Sequence, residues 1–149
     1  MKEYDYIVVG GGSGGIASAN RAGMYGAKVL LIEGNKIGGT CVNVGCVPKK
    51  GMWQASSMLE MIERDAPSYG VQADVGKFDF NELVERREKY IDFLHGAYYR
   101  GLDSNNVERI EGYATFKSDH VVSVNGEEYT ASNVLIATGG RPSQMEIPG

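Results

Sequence analysis

Apolar side chains crowd residues 4–9 of the chain, where Tyr4, Tyr6, Ile7, Val8 and Val9 lead into Gly10, and this pattern predicts a buried strand that ends in a turn. From Ser13 to about Tyr25 the apolar positions carry small residues, Ile16, Ala17, Ala19, Ala22 and Gly23, as suits a helix packed closely on a sheet. Residues 28–33 then run Val29-Leu30-Leu31-Ile32 without a polar break, which predicts a second strand covered on both faces and therefore parallel to the first. Strand, helix and strand make one βαβ unit.

Residues 41–64 are predicted to be helical, with Met52, Ala55, Met58, Leu59 and Ile62 at helical spacings and Asp65-Ala66-Pro67 as the stop. Trp53, Met52, Met58 and Met61 are read as core. Asp79 is a candidate cap for a further helix running to about Ser104, on which Leu83, Tyr90, Leu94, Ala97 and Tyr98 mark one side. After it the period shortens. Residues 107–116, 121–124, 128–130 and 134–137 read as strands, with Asn125-Gly126 as a hairpin turn. The fold class expected is α/β, a parallel sheet with helices plus a small antiparallel meander. The tail through Arg141-Pro142 to Ile147-Pro148-Gly149 reads as a linker, with more chain expected beyond it.

Composition narrows the function. A chain of 149 residues with 42% hydrophobic content suits one domain with a core, and a net charge of -4 without a basic run gives no footprint for nucleic acid. The first apolar run is too short for a signal peptide or a membrane span, so a cytoplasmic protein with no membrane partner is expected. In that reducing setting the two cysteines, Cys41 and Cys46, point to redox work rather than a staple. His95 and His120 lie far off in sequence, are read as surface residues, and leave no convincing metal-ligand set.

Two motifs carry the chemistry. Gly10-Gly11-Gly12-Ser13-Gly14-Gly15 satisfies GxGxxG between a predicted strand and a predicted helix. Gly10 makes the turn, Gly12 lets a pyrophosphate approach the backbone, Gly15 lets helix and strand close up, and the helix amides take the phosphates. Glu33 ends the second strand, where an acid takes ribose hydroxyls. No arginine follows it to meet a 2′-phosphate, which leaves FAD or NAD. In the second motif, GGTCVNVGCVPKK over residues 38–50, the cysteines are five apart. A regular helix would rotate them by about 140° and separate them by about 7.5 Å, too far to bridge. A disulfide therefore demands an irregular turn, which Gly45 and Pro48 permit, and imperfect geometry raises its reduction potential. A helix start there would also favour thiolate.

Together GGGSGG, GGTCVNVGCVPKK and ATGGRP resemble the flavin disulfide reductases, over essentially the whole chain and most closely the branch that reduces glutathione disulfide. The resemblance implies that residues 1–149 are the N-terminal part of a Rossmann-like FAD-binding domain, with the NADPH domain, a second FAD segment and the interface domain absent. It implies FAD on Gly10, Gly12, Ser13, Gly14, Gly15, Glu33, Thr40, Cys41, Ala114, Thr138 and Gly139, with Lys49 or its neighbour Lys50 beside the flavin. Cys46 is then the flavin-proximal sulfur of a Cys41–Cys46 disulfide and Cys41 the interchange sulfur. Electrons pass from NADPH through FAD to that disulfide and on to glutathione disulfide, with Ser13, Tyr98 and Tyr90 on the substrate side. The resemblance also implies a homodimer whose partner subunit supplies a His–Glu pair, so the chain alone is expected not to turn over.

Dihydrolipoamide and mercuric reductases carry Ser-Lys where this chain has Lys49-Lys50. Trypanothione reductases place an acid and a tryptophan where Ala17 and Asn20 stand, and large thioredoxin reductases stay open. Asn20 also replaces an arginine frequent in the glutathione branch, with Arg21 beside it. The rival readings are a stand-alone FAD-binding redox module and a NAD-binding protein with a structural cysteine pair.

Overall fold

The computed structural model describes residues 1–148, and Gly149, the last residue of the linker-like tail, lies outside the described residues. The chain divides into two compact units: Met1–Gly39 together with the chain from Gly101 onward, and Thr40–Arg100.

The first unit is built on β1 (Lys2–Val9), α1 (Ser13–Met24), β2 (Val29–Glu33), β3 (Val107–Glu111), β4 (Thr115–Ser118), β5 (Val121–Val124) and β6 (Glu127–Ile136). Its six-stranded sheet has the order β3-β2-β1-β6-β5-β4. The β1–β2, β2–β3 and β1–β6 pairs are parallel, and β4–β5 and β5–β6 are antiparallel. The expected βαβ unit is present. The expected antiparallel meander is present as β4-β5-β6, continuous with the parallel strands, and residues 128–130 and 134–137, read as two strands, are joined in the single long β6. Residues 107–116, read as one strand, are split at Gly112.

That split forces the sheet to roll. β3 and β4 occupy opposite edges, about five strand spacings or ~24 Å apart in a flat sheet. The four steps from Glu111 to Thr115 span at most about 14 Å. Asn125 Nδ2 donates to the Glu111 carbonyl at 2.8 Å, and a Cβ on Gly112 would stand 2.6 Å from the Val124 side chain, so the β5–β6 turn sits on the end of β3. Asn125 and Gly126 both have positive φ, 53° and 83°, as the hairpin signal requires.

The core inside this roll joins Tyr4, Ile7, Leu30, Ile32, Val122, Val124, Tyr129 and Ala131. Strict alternation would put Ala131 and Val134 on opposite faces, yet both meet this cluster, and Ser132 and Asn133 are exposed in succession. β1 slips at the same level, where the Asp5 and Tyr6 amides both point at the Lys28 carbonyl (2.9 and 3.3 Å). Both strands change phase together, so their pairing survives, with Tyr4↔Ala131 before the slip and Ile7↔Val134 after it.

The second unit carries most of α2 (Gly39–Asn43), then α3 (Cys46–Glu60), a π-helical turn (Met61–Asp65), a 3-10 turn (Ala66–Tyr69) and most of α4 (Phe80–Ser104). The single helix expected over 41–64 is interrupted at Val44-Gly45. Nor does it stop at Asp65-Ala66-Pro67: Pro67 lies in the first turn of the 3-10 segment, where no backbone donor is needed, and helical winding continues to Tyr69. Asp79 Oδ1 accepts from the Asn81 and Glu82 amides (3.0 and 3.1 Å), which is the expected cap of α4. Trp53, Met58 and Met61 were expected in a core and are instead 72%, 57% and 60% exposed. Helical spacing marks one face of a helix but does not say what, if anything, covers it.

Candidate functional site

The glycine loop of the first unit closes β1 and opens α1. The Gly10 amide donates to the Ile32 carbonyl at 2.8 Å and continues the β1–β2 ladder, and Ala137 in turn donates to Val9 at 2.8 Å. Gly10 turns with φ 110°, and a Cβ on it would stand 2.3 Å from the Ala137 carbonyl oxygen and 3.1 Å from the Thr138 amide. The predicted Thr138-Gly139 segment is thus brought against the predicted glycine loop. At Gly15 a Cβ would stand 1.8 Å from the Gly10 carbonyl oxygen, so the absence of a side chain is what lets α1 seat on β1.

Gly12 and Gly14 differ in kind from Gly10 and Gly15. A Cβ on Gly12 would meet nothing closer than the Gly39 Cα at 3.8 Å, and one on Gly14 nothing within 4 Å. The protein itself leaves this space free. Gly12 is the N-cap of α1, no side chain caps the helix, and its first turn holds no acid. Its leading amides therefore present donors and the positive end of the dipole. Ser13 is exposed there as the first helical residue.

Glu33 closes the cradle at the end of β2. Its Oε2 accepts from the Gly11 amide at 2.5 Å and its Oε1 from the Asn35 amide at 2.7 Å. Each carboxylate oxygen keeps a lone pair for a hydroxyl. The Gly38 amide donates to the Gly11 carbonyl at 2.8 Å, and Gly39, with φ 63°, brings its backbone against Gly12. These features fit a bound dinucleotide: uncrowded glycines at an uncapped helix N-terminus with an acid fixed at the next strand end. Ala114 falls in the turn between β3 and β4, not in a strand, and packs against the core. Asn20, at the position of the missing arginine, accepts from Asn105 Nδ2 at 2.8 Å and ties α1 to the chain after α4. Arg21 beside it is exposed.

In the second unit the two cysteines flank a helix break. α2 carries Thr40 and Cys41 and ends at Asn43, where the Val44 amide donates to the Thr40 carbonyl at 3.0 Å. Gly45, with φ -122° and ψ -112°, precedes α3, whose first residue is Cys46. A Cβ on Gly45 would lie 2.9 Å from the Thr40 carbonyl oxygen, so glycine is what lets the chain fold back this tightly. The irregular turn expected from the spacing is present. Both cysteines are free thiols, so the structure describes the reduced pair, with Cys41 half-buried and Cys46 exposed.

The electrostatics of Cys41 depart from the expected thiolate bias. Its thiol is held above the ordinary range, first by a side-chain hydrogen bond with Cys46, then by burial and by the charge a Cys46 thiolate would carry. The Cys46 and Val47 amides at the start of α3 pull the other way and do not prevail. A thiol bonded to its neighbour resists losing its proton, and that outweighs the helix start.

Lys49 and Lys50 are both exposed in the first turns of α3, and the Lys49 amide makes the first α3 bond, to the Gly45 carbonyl at 3.0 Å. On α4 Tyr98 is half-buried, while Tyr90 is exposed and stacks on Phe93 with centroids 6.3 Å apart. His95, read as a surface residue, has a side chain only 14% exposed, and its Nε2 lies 2.7 Å from Asn43 Oδ1. Its helical phase could have shown this, since it sits four residues after the buried Ile91. His120 is exposed. Among the described residues no group of three or more His, Cys, Asp or Glu is placed to hold a metal ion, and no helix is long and apolar enough to cross a membrane.

Comparison with known proteins agrees with these features. Residues 4–149 match the pyridine nucleotide-disulphide oxidoreductase family. A glutathione reductase of Yarrowia lipolytica (strain CLIB 122 / E 150) is 48% identical over 164 aligned positions, which take in 100% of this chain and 34% of that protein. The chain thus spans about a third of the length of the curated relative it matches. It belongs to the pyridine nucleotide-disulphide oxidoreductase family.

Proposed function

We propose that the chain is the FAD-holding, dithiol-bearing segment of an NADPH-dependent reductase of glutathione disulfide. The observation that carries this reading is the Cys41–Cys46 pair, in side-chain contact across a helix break whose first α3 amides also reach the Cys41 sulfur. The open α1 N-terminus and the held Glu33 carboxylate support a dinucleotide at Gly10, Gly12, Ser13, Gly14, Gly15 and Glu33, and the similarity to a glutathione reductase supports the substrate. Thr40, Cys41, Lys49, Ala114, Thr138 and Gly139 complete the proposed FAD contacts.

When bound, the flavin supplies the electron pair, taken from NADPH, that restores the dithiol. The chain's residues do the rest. Cys41 thiolate attacks one sulfur of glutathione disulfide, releases one glutathione thiolate and leaves a mixed disulfide on Cys41. Cys46 thiolate then attacks the Cys41 sulfur, releases the second glutathione and closes Cys41–Cys46. Because the bond with Cys46 holds the Cys41 thiol up, a base that takes its proton would speed the first attack. The proposal assigns that base to a His–Glu pair on the partner subunit of a homodimer, with Ser13 and Tyr98 on the substrate side. The apolar side chains exposed on α3, the π-helical turn and α4, Trp53, Met58, Met61, Tyr90 and Phe93, are consistent with such an assembly. A cytoplasmic setting would keep the pair in use.

The test is to assay the full-length protein with NADPH against glutathione disulfide, lipoamide and trypanothione disulfide. Sustained NADPH oxidation with glutathione disulfide and little with the others is expected. Preference for either alternative substrate would reassign the enzyme, and no turnover with any would favour a redox module.

A further inference from the structure

We propose that His95 is a positioning residue for the dithiol, holding Asn43 and through it the turn that sets the separation of Cys41 and Cys46; the inference deepens the function proposed above and rests on that pair being the redox pair. Asn43 lies between the two cysteines as the last residue of α2, immediately before the break. His95 stands on α4, 52 residues away in sequence, with Nε2 at 2.7 Å from Asn43 Oδ1. An amide oxygen only accepts, so Nε2 carries the proton. Nδ1 faces Asp92 Oδ1 at 3.6 Å, one turn back on α4.

The tie acts on an irregular stretch of backbone between the two cysteines. Val44 is exposed, Gly45 has no side chain, and the backbone around them follows no regular helix. Anchoring Asn43 to α4 reduces the freedom that closing the disulfide would otherwise cost. It also keeps Cys41 within reach of Cys46 in the reduced pair. The consequence is an equilibrium constant K, for dithiol plus glutathione disulfide giving chain disulfide plus two glutathione thiols, that depends on a residue touching neither sulfur's reaction partner.

The experiment measures K on the full-length protein by equilibration in glutathione buffers and acid trapping of thiols. His95→Phe keeps the ring but cannot donate, and K is expected to fall about fivefold, the scale of the backbone freedom one untied residue loses on closing the disulfide. Asn43→Ala should lower K at least as far, and the double variant no further than Asn43→Ala alone, because both lack the His95–Asn43 tie. His95→Gln places an amide nitrogen near the Nε2 position and should stay within about twofold of the parent. An unchanged K in His95→Phe, or a double variant that loses the product of the two single factors, overturns the inference. Should His95→Phe fail to fold, Asn43→Ala decides in its place, and an unchanged K there is equally fatal. A pair that never oxidises in any buffer sinks the function proposed above instead. His95 is then judged on the iodoacetamide rate of Cys41 in the reduced protein, which His95→Phe must raise and His95→Gln must not.

Discussion

At the scale of single residues the glycines separate stability from binding. Gly15→Ala drives a Cβ to within 1.8 Å of the Gly10 carbonyl, where backbone must move, and should cost about 3 kcal/mol or more, read as a lower melting temperature. Gly12→Ala meets only the Gly39 Cα at 3.8 Å and should melt within about 0.5–1 kcal/mol of the parent, while FAD affinity of the full-length protein falls at least about tenfold. Equal losses in both assays from both variants would mean that Gly12 serves packing rather than a ligand. The tight backbone packing at Gly10 and Gly15 is legible because a GxGxxG between strand and helix constrains backbone, and backbone constraints are local. The proton economy of Cys41 was not legible, because it depends on which of two opposing neighbours prevails. Cys46→Ala removes the hydrogen bond that comes first among the raising causes. The pH midpoint of Cys41 alkylation should therefore fall from above the ordinary cysteine value of about 8.5 towards or below it. A midpoint that stays put would assign the shift to burial.

At the scale of elements, periodicity located strands and helices but not their partners. The run Val29-Leu30-Leu31-Ile32 is apolar on both faces and could only be an interior strand, as β2 is. Trp53, Met58 and Met61, read as core for their apolar character, lie exposed, off the half-buried line of Met52, Ala55, Leu59 and Ile62. The roll of the sheet was also hidden, because it follows from a short connection between opposite edges and from a phase slip shared by β1 and β6. One tie across the rolled unit is testable by pH. The Tyr4 hydroxyl donates to Glu108 Oε2 at 2.7 Å, and burial, with that carboxylate next, pushes the phenol well above the ordinary tyrosine range. The native state therefore keeps a proton that the unfolded chain loses near pH 10, so stability present below that pH drains away above it. Tyr4→Phe should flatten the alkaline loss in denaturant midpoints between about pH 9.5 and 11; an unaltered slope would show that Tyr4 does not titrate in the unfolding.

For the molecule as a whole, the two motifs serve one proposed cycle: a dinucleotide on the first unit as the electron source, and a dithiol in the second as the acceptor. The chain spans 34% of the length of its relative, and the base that takes the Cys41 proton is proposed to come from a partner subunit. This chain alone is accordingly expected to show no steady NADPH oxidation with glutathione disulfide. What it should do alone is the thiol chemistry. The most direct measurement exposes reduced Cys46→Ser and Cys41→Ser variants to one equivalent of glutathione disulfide at mildly alkaline pH and maps the adducts by mass spectrometry. The account predicts that Cys46→Ser accumulates a glutathionyl mixed disulfide on Cys41, while Cys41→Ser gains little on Cys46. Equal or faster trapping on Cys46 would contradict it.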